Sequence, residues 1–311
     1  VYNGAETIKR SIQSILSQTF GKLELIVIDD ASTDDSVKII MGFSDERLIA
    51  IRNDVNIGLA ATLNLGISST RGRYICRQDQ DDFSDSHRIR DQINFLEANE
   101  DVVLLGSRAV VSHLNIAHRS ARKSRLNHPL GDSSLQWYLL FGNPFVHSSV
   151  VFRRSAITAI GSYETDISRG WPEDYELWSR MSQVGKIANL KSHLVHYTAS
   201  GSGMSNTHSM QIQSGVLRIA GENLQVALRV NGSETHAWRE VVTILNGFRN
   251  PDYSCRTLLY GMCLLLRTAK SQYRREPSFE LMRVYVVTCV RFLRAWTIGF
   301  RFDWRRDGRR E

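Results

Sequence analysis

Residues 74–82 read Tyr-Ile-Cys-Arg-Gln-Asp-Gln-Asp-Asp, a short β-forming apolar run that breaks into acids and amides. The pattern predicts that 74–76 ends a buried strand and that Asp79, Asp81 and Asp82 lie where the chain must turn outward. The carboxyl edge of a parallel strand is where open α/β sheets place their ligands. An Asp-x-Asp pair set there suits a hard divalent cation held through oxygen. Mg2+ or Mn2+ bound in this way keeps positions open for phosphate oxygens, so the ligand such a turn would take is a diphosphate. The plainer reading is a solvated acidic turn capping the next helix, and for an isolated Asp-x-Asp it is the commoner case. The rest of the chain decides between the two.

Upstream, residues 5–18 place Ile8, Ile12, Ile15 and Leu16 on one stripe, which predicts an amphipathic helix. LELIVI (23–28) is a continuous apolar run, as expected of a strand buried on both faces. It ends in Asp29-Asp30-Ala31-Ser32-Thr33-Asp34, a turn and N-cap cluster leading to a helix around 37–41. LIAI (48–51) gives a further strand, and after Asn53, Asn56 and Gly58 a helix runs through 59–67. Downstream of the acidic turn, residues 85–98 predict a helix with Ile89, Ile93 and Leu96 facing inward. This alternation implies right-handed crossovers and a largely parallel sheet flanked by helices. Two of its strands end in paired aspartates. Beyond residue 100, VVLLGSRAVV and HSSVVFRR (147–154) read as strands around a helical 133–141. GWPEDYELWSRM (170–181) reads as a Pro-initiated helix with Leu177, Met181 and Val184 on its buried face. After 207 the chain reads as helical, with breaks near Pro251 and Pro277.

The net charge of +7 over 311 residues is unevenly placed. Residues 1–210 carry 22 Lys+Arg against 23 Asp+Glu, whereas residues 211–311 carry 17 against 9. A basic, aromatic-rich tail on a near-neutral domain points to an anionic partner surface. Nucleic acid fits the charge, but no nucleic-acid-binding motif accompanies it, so no nucleic-acid partner is expected. Cys76, Cys255, Cys263 and Cys289 are scattered without a CxxC pair and read as buried thiols of a reducing compartment. No apolar run approaches the ~18 residues of a membrane span. In SFELMRVYVVTCVRFLRAWTIGFRFDWRR (278–306), arginines recur at roughly helical intervals. An in-plane interfacial helix giving peripheral membrane contact and a plain helical subdomain both fit that pattern.

Four stretches, taken in order, resemble glycosyltransferase family 2, inverting enzymes of the GT-A fold, across residues 1–205. VYNG with SIQSILSQTF resembles the family's first strand end and helix. LELIVIDDASTDDS is similar to its nucleotide-binding strand and turn, GRYICRQDQDDFSDSHRI to its DxD segment, and GWPEDYELWSRM to its catalytic Glu-Asp segment. The resemblance implies a Rossmann-like GT-A domain over 1–205, with a mixed, mainly parallel sheet; the helical, basic region over 206–311, read from pattern and charge, lies beyond it. The resemblance also implies that Tyr2 flanks the nucleobase and that Asp29, or Asp30 in its place, accepts from the base imide N–H. Asp79 and Asp81 would be the metal-site acids at the ends of the DxD pair, Asp81 the direct ligand and Asp79 nearer the ribose, the cofactor being Mn2+ or Mg2+. Asp174 would be the general base, Glu173 would assist it, and Arg77 would buttress the acids beside the donor. A carboxylate base and a cation on the leaving diphosphate are what single displacement at an anomeric carbon requires.

Plainer readings stand beside each role. Asp29-Asp30 also makes a turn and N-cap pair, and Glu173-Asp174 after Pro172 also makes a good first helical turn. Tyr2 fits a structural role equally well, and His147 fits a satisfied buried histidine as well as an acceptor-side group. The sequence departs from the family twice. Where members carry a YRxH-like segment, HYTASGSGMS (196–205) has Ser200 at the histidine position, with His196 and His208 out of register. The chain also opens at VYNG, without the apolar strand that leads into that motif in the family, so the first strand is expected to be missing from an N-terminally incomplete record. The resulting expectation is a metal-dependent transferase moving a sugar from a UDP- or dTDP-linked donor to a saccharide or lipid-linked acceptor. It would work in cell-surface polysaccharide synthesis, in the cytoplasm or on the inner face of the membrane. The rivals are a non-catalytic GT-A-fold sugar- or membrane-binding protein and a sugar nucleotidyltransferase. The latter wants a Gly-rich N-terminal phosphate loop that VYNGAE does not supply.

Overall fold

The computed structural model describes residues 1–115, 120–166, 169, 171–199, 209–228, 232–246, 263–270, 282, 285–286 and 288–290; of 113–115, 120–122, 209 and 232–237 it describes the backbone alone. The chain forms two compact units, one of Val1–Leu130 with Phe145–His208, the other of Gly131–Pro144 with Ser209–Glu311. In chain order the elements are α1 (Ile8–Leu16), β1 (Leu25–Asp29), α2 (Ser36–Met41), β2 (Leu48–Arg52), α3 (Leu59–Ser69), β3 (Tyr74–Cys76), β4 (Phe83–Ser84), α4 (Arg88–Ala98), β5 (Val102–Asn115) and β6 (Ser120–Leu126). There follow α5 (Asp132–Tyr138), a 3-10 turn at His147–Ser149, β7 (Val151–Arg153), α6 (Arg154–Ile160), α7 (Glu173–Met181), β8 (Lys186–Ala199), α8 (Ser209–Leu228) and α9 (Gly232–Leu245).

The first unit is a mixed α/β layer structure with helices against its sheets. β1 and β2 pair in parallel, and the second sheet runs β3-β7-β5-β8-β4 with β6 added to β5 as a hairpin. β5–β8 is parallel, while β3–β7, β5–β7, β4–β8 and β5–β6 are antiparallel. The sheet is thus more mixed than a β-α alternation by itself implies, because β4 and β7 are short return strands rather than new crossovers. α1 presents Ile8 and Ile12 to Val27 and Ile40. Ile89, Ile93 and Leu96 of α4 meet Ile15, Val102, Leu105 and Val151 in the main core. Each such aliphatic side chain contributes about 1.5–3 kcal/mol by leaving water. Gly106 is required by close approach, since a Cβ there would lie 2.7 Å from Phe145 Cδ1 and against the Asn189 side chain.

Three details differ from the sequence reading. HSS at 147–149 is a 3-10 turn, not strand, because Ser149 N–H and Oγ both donate to the Val146 carbonyl (2.8 Å each). Val184 is 46% exposed instead of buried, since α7 stops at Met181 and its register ends there; Tyr175 and Trp178 fill the inner face instead. Cys76 and Cys263 are exposed and Cys289 half-buried. In β3 the alternation puts Ile75 inward and so turns Cys76 out. Cys255 lies outside the described residues.

In the second unit α5 and the residues after it are held by fully buried tryptophans. Trp137 Nε1 donates to Thr268 Oγ1 (3.3 Å) and Trp238 Nε1 to the Leu140 carbonyl (2.6 Å). That 131–144 joins this unit has no sign in the sequence. Most of the 278–306 segment, Ser200 and His208 lie outside the described residues. Among those described, no helix is long and apolar enough to cross a membrane.

Leu105→Ala in the main core is expected to cost about 2–5 kcal/mol. Val184→Ala should stay within about 0.5 kcal/mol of the parent. Urea midpoints of the two variants check both.

Candidate active site

The site grows from two turns that follow β1 and β3. The β1 turn is folded against residues 1–5. The Asn3, Gly4 and Ala5 N–H groups donate to Ser32 Oγ (2.9 Å), Ser36 Oγ (2.8 Å) and Asp34 Oδ2 (3.0 Å), and Asn3 Oδ1 accepts from Thr33 N–H (2.9 Å). Asn3 and Ala31 take left-handed backbone conformations, with φ of 48° and 60°. In a non-glycine residue such a conformation carries strain, and it is met most often at turns and binding sites.

Within this turn the two aspartates have different jobs. Asp30 accepts from Asn53 Nδ2 (2.8 Å) and from the Ile57 and Gly58 N–H groups (3.0 Å each). Burial raises its pKa, but these donors outweigh it and leave the carboxyl below its ordinary range. Its lone pairs are spent on tying the start of α3 to β1. Asp29 is also buried, with Oδ2 accepting from Ser32 N–H (3.1 Å) and lying 3.6 Å from Arg52 Nε. Its Oδ1 has no donor and no access to solvent. A buried carboxylate oxygen without a donor is costly unless a ligand supplies one.

The β3 turn presents Asp79, Asp81 and Asp82. Asp79 Oδ1 receives Arg77 Nη2 (2.6 Å), and Oδ2 receives Ser148 Oγ (2.5 Å). Burial pushes its pKa up, but Arg77 and the Ser148 hydroxyl prevail and hold it at about 2. Asp82 is fully buried, accepts from Thr198 N–H at Oδ1 (2.8 Å), and has no partner at Oδ2. Burial and the charge of Asp79 push it up to about 7. Asp81 is half-buried; burial and Asp79 raise its pKa, and among the described residues no side-chain donor reaches its carboxylate. The open carboxylate of the DxD pair is therefore that of Asp81. Between the pair, Gln80 grips the Tyr2 backbone on both sides, Oε1 accepting from Tyr2 N–H (2.8 Å) and Nε2 donating to Tyr2 O (3.1 Å). The Tyr2 ring stays 49% exposed.

Beneath the turn, Arg88 is wholly buried. It donates to Gln92 Oε1 (3.1 Å), Gln78 Oε1 (2.9 Å), Ser84 Oγ (2.8 Å), Arg77 O (2.7 Å) and Val150 O (3.3 Å). Burial lowers its pKa to about 10, still a full charge at neutral pH.

The opposite wall is the first turn of α7, behind Pro172. Glu173 is buried and pushed up to about 7 by burial and by Asp174. Asp174 is half-buried, and its Oδ1 accepts from Tyr175 N–H (2.7 Å). The helix N-terminus favours both carboxylates. His147 Nε2 meets Tyr163 Oη (2.9 Å), and burial with Arg77 depresses its imidazole to about 3, so it is a satisfied, neutral histidine. Tyr197, at the end of β8, feels all the acids at once. Burial, then Asp82, Asp79, Asp81 and Asp174, push its phenol up to about 12.

The structure thus gathers Arg77, Asp79, Asp81, Glu173 and Asp174 into one electrostatic neighbourhood, with Tyr2 held to it through Gln80 and Asp29 in the adjoining β1 turn. Ser148, Thr198, Tyr197, Gln80, Arg88 and the buried Asp82 were given no role from the sequence. Gln80 and Asp82 stood inside the quoted motif. Arg88 lies six residues beyond it, and Ser148, Tyr197 and Thr198 come from distant elements.

This architecture is found in solved sugar transferases. S. aureus TarS in complex with UDP-GlcNAc superposes with a TM-score of 0.58 at 13% identity, over 96% of this chain and 88% of that one. Mannosyltransferase PcManGT from Pyrobaculum calidifontis, in complex with GDP-Man and Mn2+, gives 0.55 at 15%, over 96% and 81%. The fold is GT-A, that of transferases using nucleotide-linked sugars. In sequence, an uncharacterized glycosyltransferase of Haemophilus influenzae is 29% identical over 239 residues, 74% of this chain and 73% of that one. The amylovoran biosynthesis glycosyltransferase AmsE of Erwinia amylovora is 30% identical over 204 residues (65% and 73%). The Escherichia coli UDP-Glc:alpha-D-GlcNAc-diphosphoundecaprenol beta-1,3-glucosyltransferase WfaP is 39% identical over 99 residues, 32% of this chain and 39% of that one. Residues 1–161 match Glycosyl transferase family 2, and the chain belongs to that family.

Glu173 gives a pH signature. The folded protein holds its proton up to about pH 7, whereas the ordinary value is 4.5. Its destabilising contribution is therefore absent below about pH 4.5 and complete above about pH 7. Glu173→Gln is expected to raise the melting temperature at pH 8 and leave it nearly unchanged at pH 4. Calorimetric scans across that range check this; Asp82 keeps a residual dependence of the same sign.

Proposed function

We propose that the chain is an inverting, divalent-metal-dependent transferase that moves a sugar from a UDP- or dTDP-linked donor to a saccharide or lipid-linked acceptor in surface-polysaccharide assembly, at the cytoplasmic side of the membrane. The observation that carries this reading is the pattern of unfilled oxygens: Asp29 Oδ1 without a donor, and the Asp81 carboxylate without a side-chain partner. The first fits the imide N–H of a uracil or thymine ring, with Tyr2 beside it. The second, with at most the neighbouring Asp82 oxygen, fits Mn2+ or Mg2+, which take one or two carboxylates and complete their shell from substrate phosphates. The cation, when bound, supplies charge relief to the departing diphosphate. The metal in the PcManGT complex and the uridine nucleotide in the TarS complex support the same assignment. The AmsE and WfaP names support the polysaccharide and diphospholipid side of it.

The chain's own residues do the remaining work. Asp174 accepts the proton of the attacking acceptor hydroxyl. Beside it Glu173 is buried and pushed up to about 7 by that burial and by the charge of Asp174. Arg77 holds Asp79 in place beside the donor and offsets the charge of the acids. Attack on the face opposite the leaving group inverts the anomeric centre. The domain reading follows: a GT-A catalytic domain over 1–205 and a helical, basic region over 206–311.

Binding and hydrolysis of UDP-, dTDP- and GDP-sugars, with and without Mn2+, test the reading. One nucleotide series should bind in a metal-dependent way, and Asp81→Ala should abolish that dependence. Asp174→Asn should lower turnover by about 10²–10⁴-fold, the usual contribution of a general base, with donor affinity kept. A folded protein that binds no donor would be a non-catalytic member of the family.

A further inference from the structure

Where β4, β8, β5 and β6 meet, one face of the sheet is core and the other is half-buried toward β8 and ends in exposed cations on β6. On the covered face Val195, Ala109 and Leu126 lie in register across β8, β5 and β6, the first two with no exposed surface. On the other face the register runs Phe83, His196, Val110, Arg125, and one step further along Thr198, Ser112, Lys123. Lys123 and Arg125 are exposed, and among the described residues neither has a carboxylate partner. Arg10, from α1, lays its guanidinium over the Phe83 ring (4.4 Å), which itself stacks on His196 (4.2 Å between centroids, 4° between planes). Arg10 Nη2 also reaches the Asp81 carbonyl (3.2 Å) and Thr198 Oγ1 (3.5 Å). The basic band therefore runs from β6 across the sheet into the backbone of the metal-binding turn. The field is felt: after burial, Lys123 lowers the imidazole of His196, and Arg125 and Arg108 lower that of His193, with Asp85 the acid opposing at His196.

We propose that this face binds the diphosphate of a diphosphate-linked saccharide acceptor. Lys123 and Arg125 take the phosphates at the open end, and Arg10 takes the end next to the donor. The inference rests on the transferase reading above. Two observations select a phosphate-bearing acceptor over a membrane surface. The band ends at the catalytic turn. And none of the exposed large apolar side chains among the described residues lies on β4, β5, β6 or β8, whereas an interfacial surface combines cations with apolar groups that enter the lipid. The donor's charge is met at Asp81 by a cation, so a second anion needs its own cationic ground, and these side chains supply it.

The test uses the full chain and the double variant Lys123→Glu/Arg125→Glu, both positions being exposed and clear of the donor site. Two acceptors are compared, a saccharide on a short alkyl diphosphate and the same saccharide on a neutral alkyl glycoside. The variant should raise KM for the diphosphate acceptor at least tenfold, with kcat, donor hydrolysis and the KM of the neutral glycoside unchanged. In the parent, added salt should raise the KM of the diphosphate acceptor alone. A second readout needs no turnover: calorimetric binding of the sugar-free alkyl diphosphate, with divalent cations chelated, should weaken at least tenfold in the variant. Equal affinity and equal KM in parent and variant would overturn the proposal. So would loss of flotation with phosphatidylglycerol vesicles at unchanged KM, which would make the face a lipid-docking surface. Were no donor turned over at all, the transferase reading would fail while calorimetry still judged the face.

Discussion

A complete positive charge with no accessible surface sits under the acidic turn. Arg88 is held by five acceptors, all of them neutral: two side-chain amides, a serine hydroxyl and two main-chain carbonyls. Taking such a cation out of water costs several kcal/mol even after relaxation. It is tolerated because the negative charge of the turn lies close to it and because three of its five acceptors are groups that the turn must fix in place. Gln78, Ser84 and the Arg77 carbonyl are the flanks of the DxD segment, and the Val150 carbonyl belongs to the residue leading into β7. Without the guanidinium these groups would lose a common centre, and the loop carrying Asp79 and Asp81 would lose its shape. The order of dependence runs from a buried cation, to a shaped loop, to carboxylates presented in different states.

Those different states are the chemical content of the site. Three aspartates follow β3 within four residues, and like charges so close cannot all ionise freely. The structure separates them by partner. Asp79 receives Arg77 and Ser148 and is an anion over the whole neutral range; Asp82 receives one backbone amide in a buried place and is raised toward neutrality. Asp81, left between them, is the one whose charge is open to a ligand. The same division recurs at α7, where Glu173 is raised beside Asp174. In both places a buried acid of raised pKa flanks a less buried carboxylate.

What the sequence made legible follows from range. Elements defined by local periodicity came through, as with Ile89, Ile93 and Leu96 on α4 and the buried run that became β1. The family resemblance brought Asp29, Asp79 and Asp81 to one edge of the domain. The structure adds a ranking that residue types alone do not contain. Asp29 and Asp30 are indistinguishable in sequence, and only the approach of Asn53, Ile57 and Gly58 separates a satisfied carboxylate from one with an unfilled oxygen. Ser148 on Asp79 and Thr198 on Asp82 close hydrogen bonds over 69 and 116 residues, which no window along the chain can register. Local competition explains the 3-10 turn at HSS, where serine hydroxyls took the carbonyl that a strand would have left to its neighbour. The placement of 131–144 with the C-terminal helices is set by buried tryptophans whose partners lie some hundred residues away.

The central residue of the Asp-x-Asp triplet, Gln80, has a consequence of its own. Its amide holds the main chain of Tyr2 from both sides, and a Cβ on Gly4 would come within 2.9 Å of that amide. The segment that carries Tyr2 and the turn that carries Asp79 and Asp81 are therefore one mechanical body joined through that side chain. On the proposed reading, nucleoside and metal would be thermodynamically linked even before a diphosphate bridged them. Whatever steadied the base would steady the oxygen that meets the ion, and by reciprocity the ion would tighten the hold on the base to the same degree.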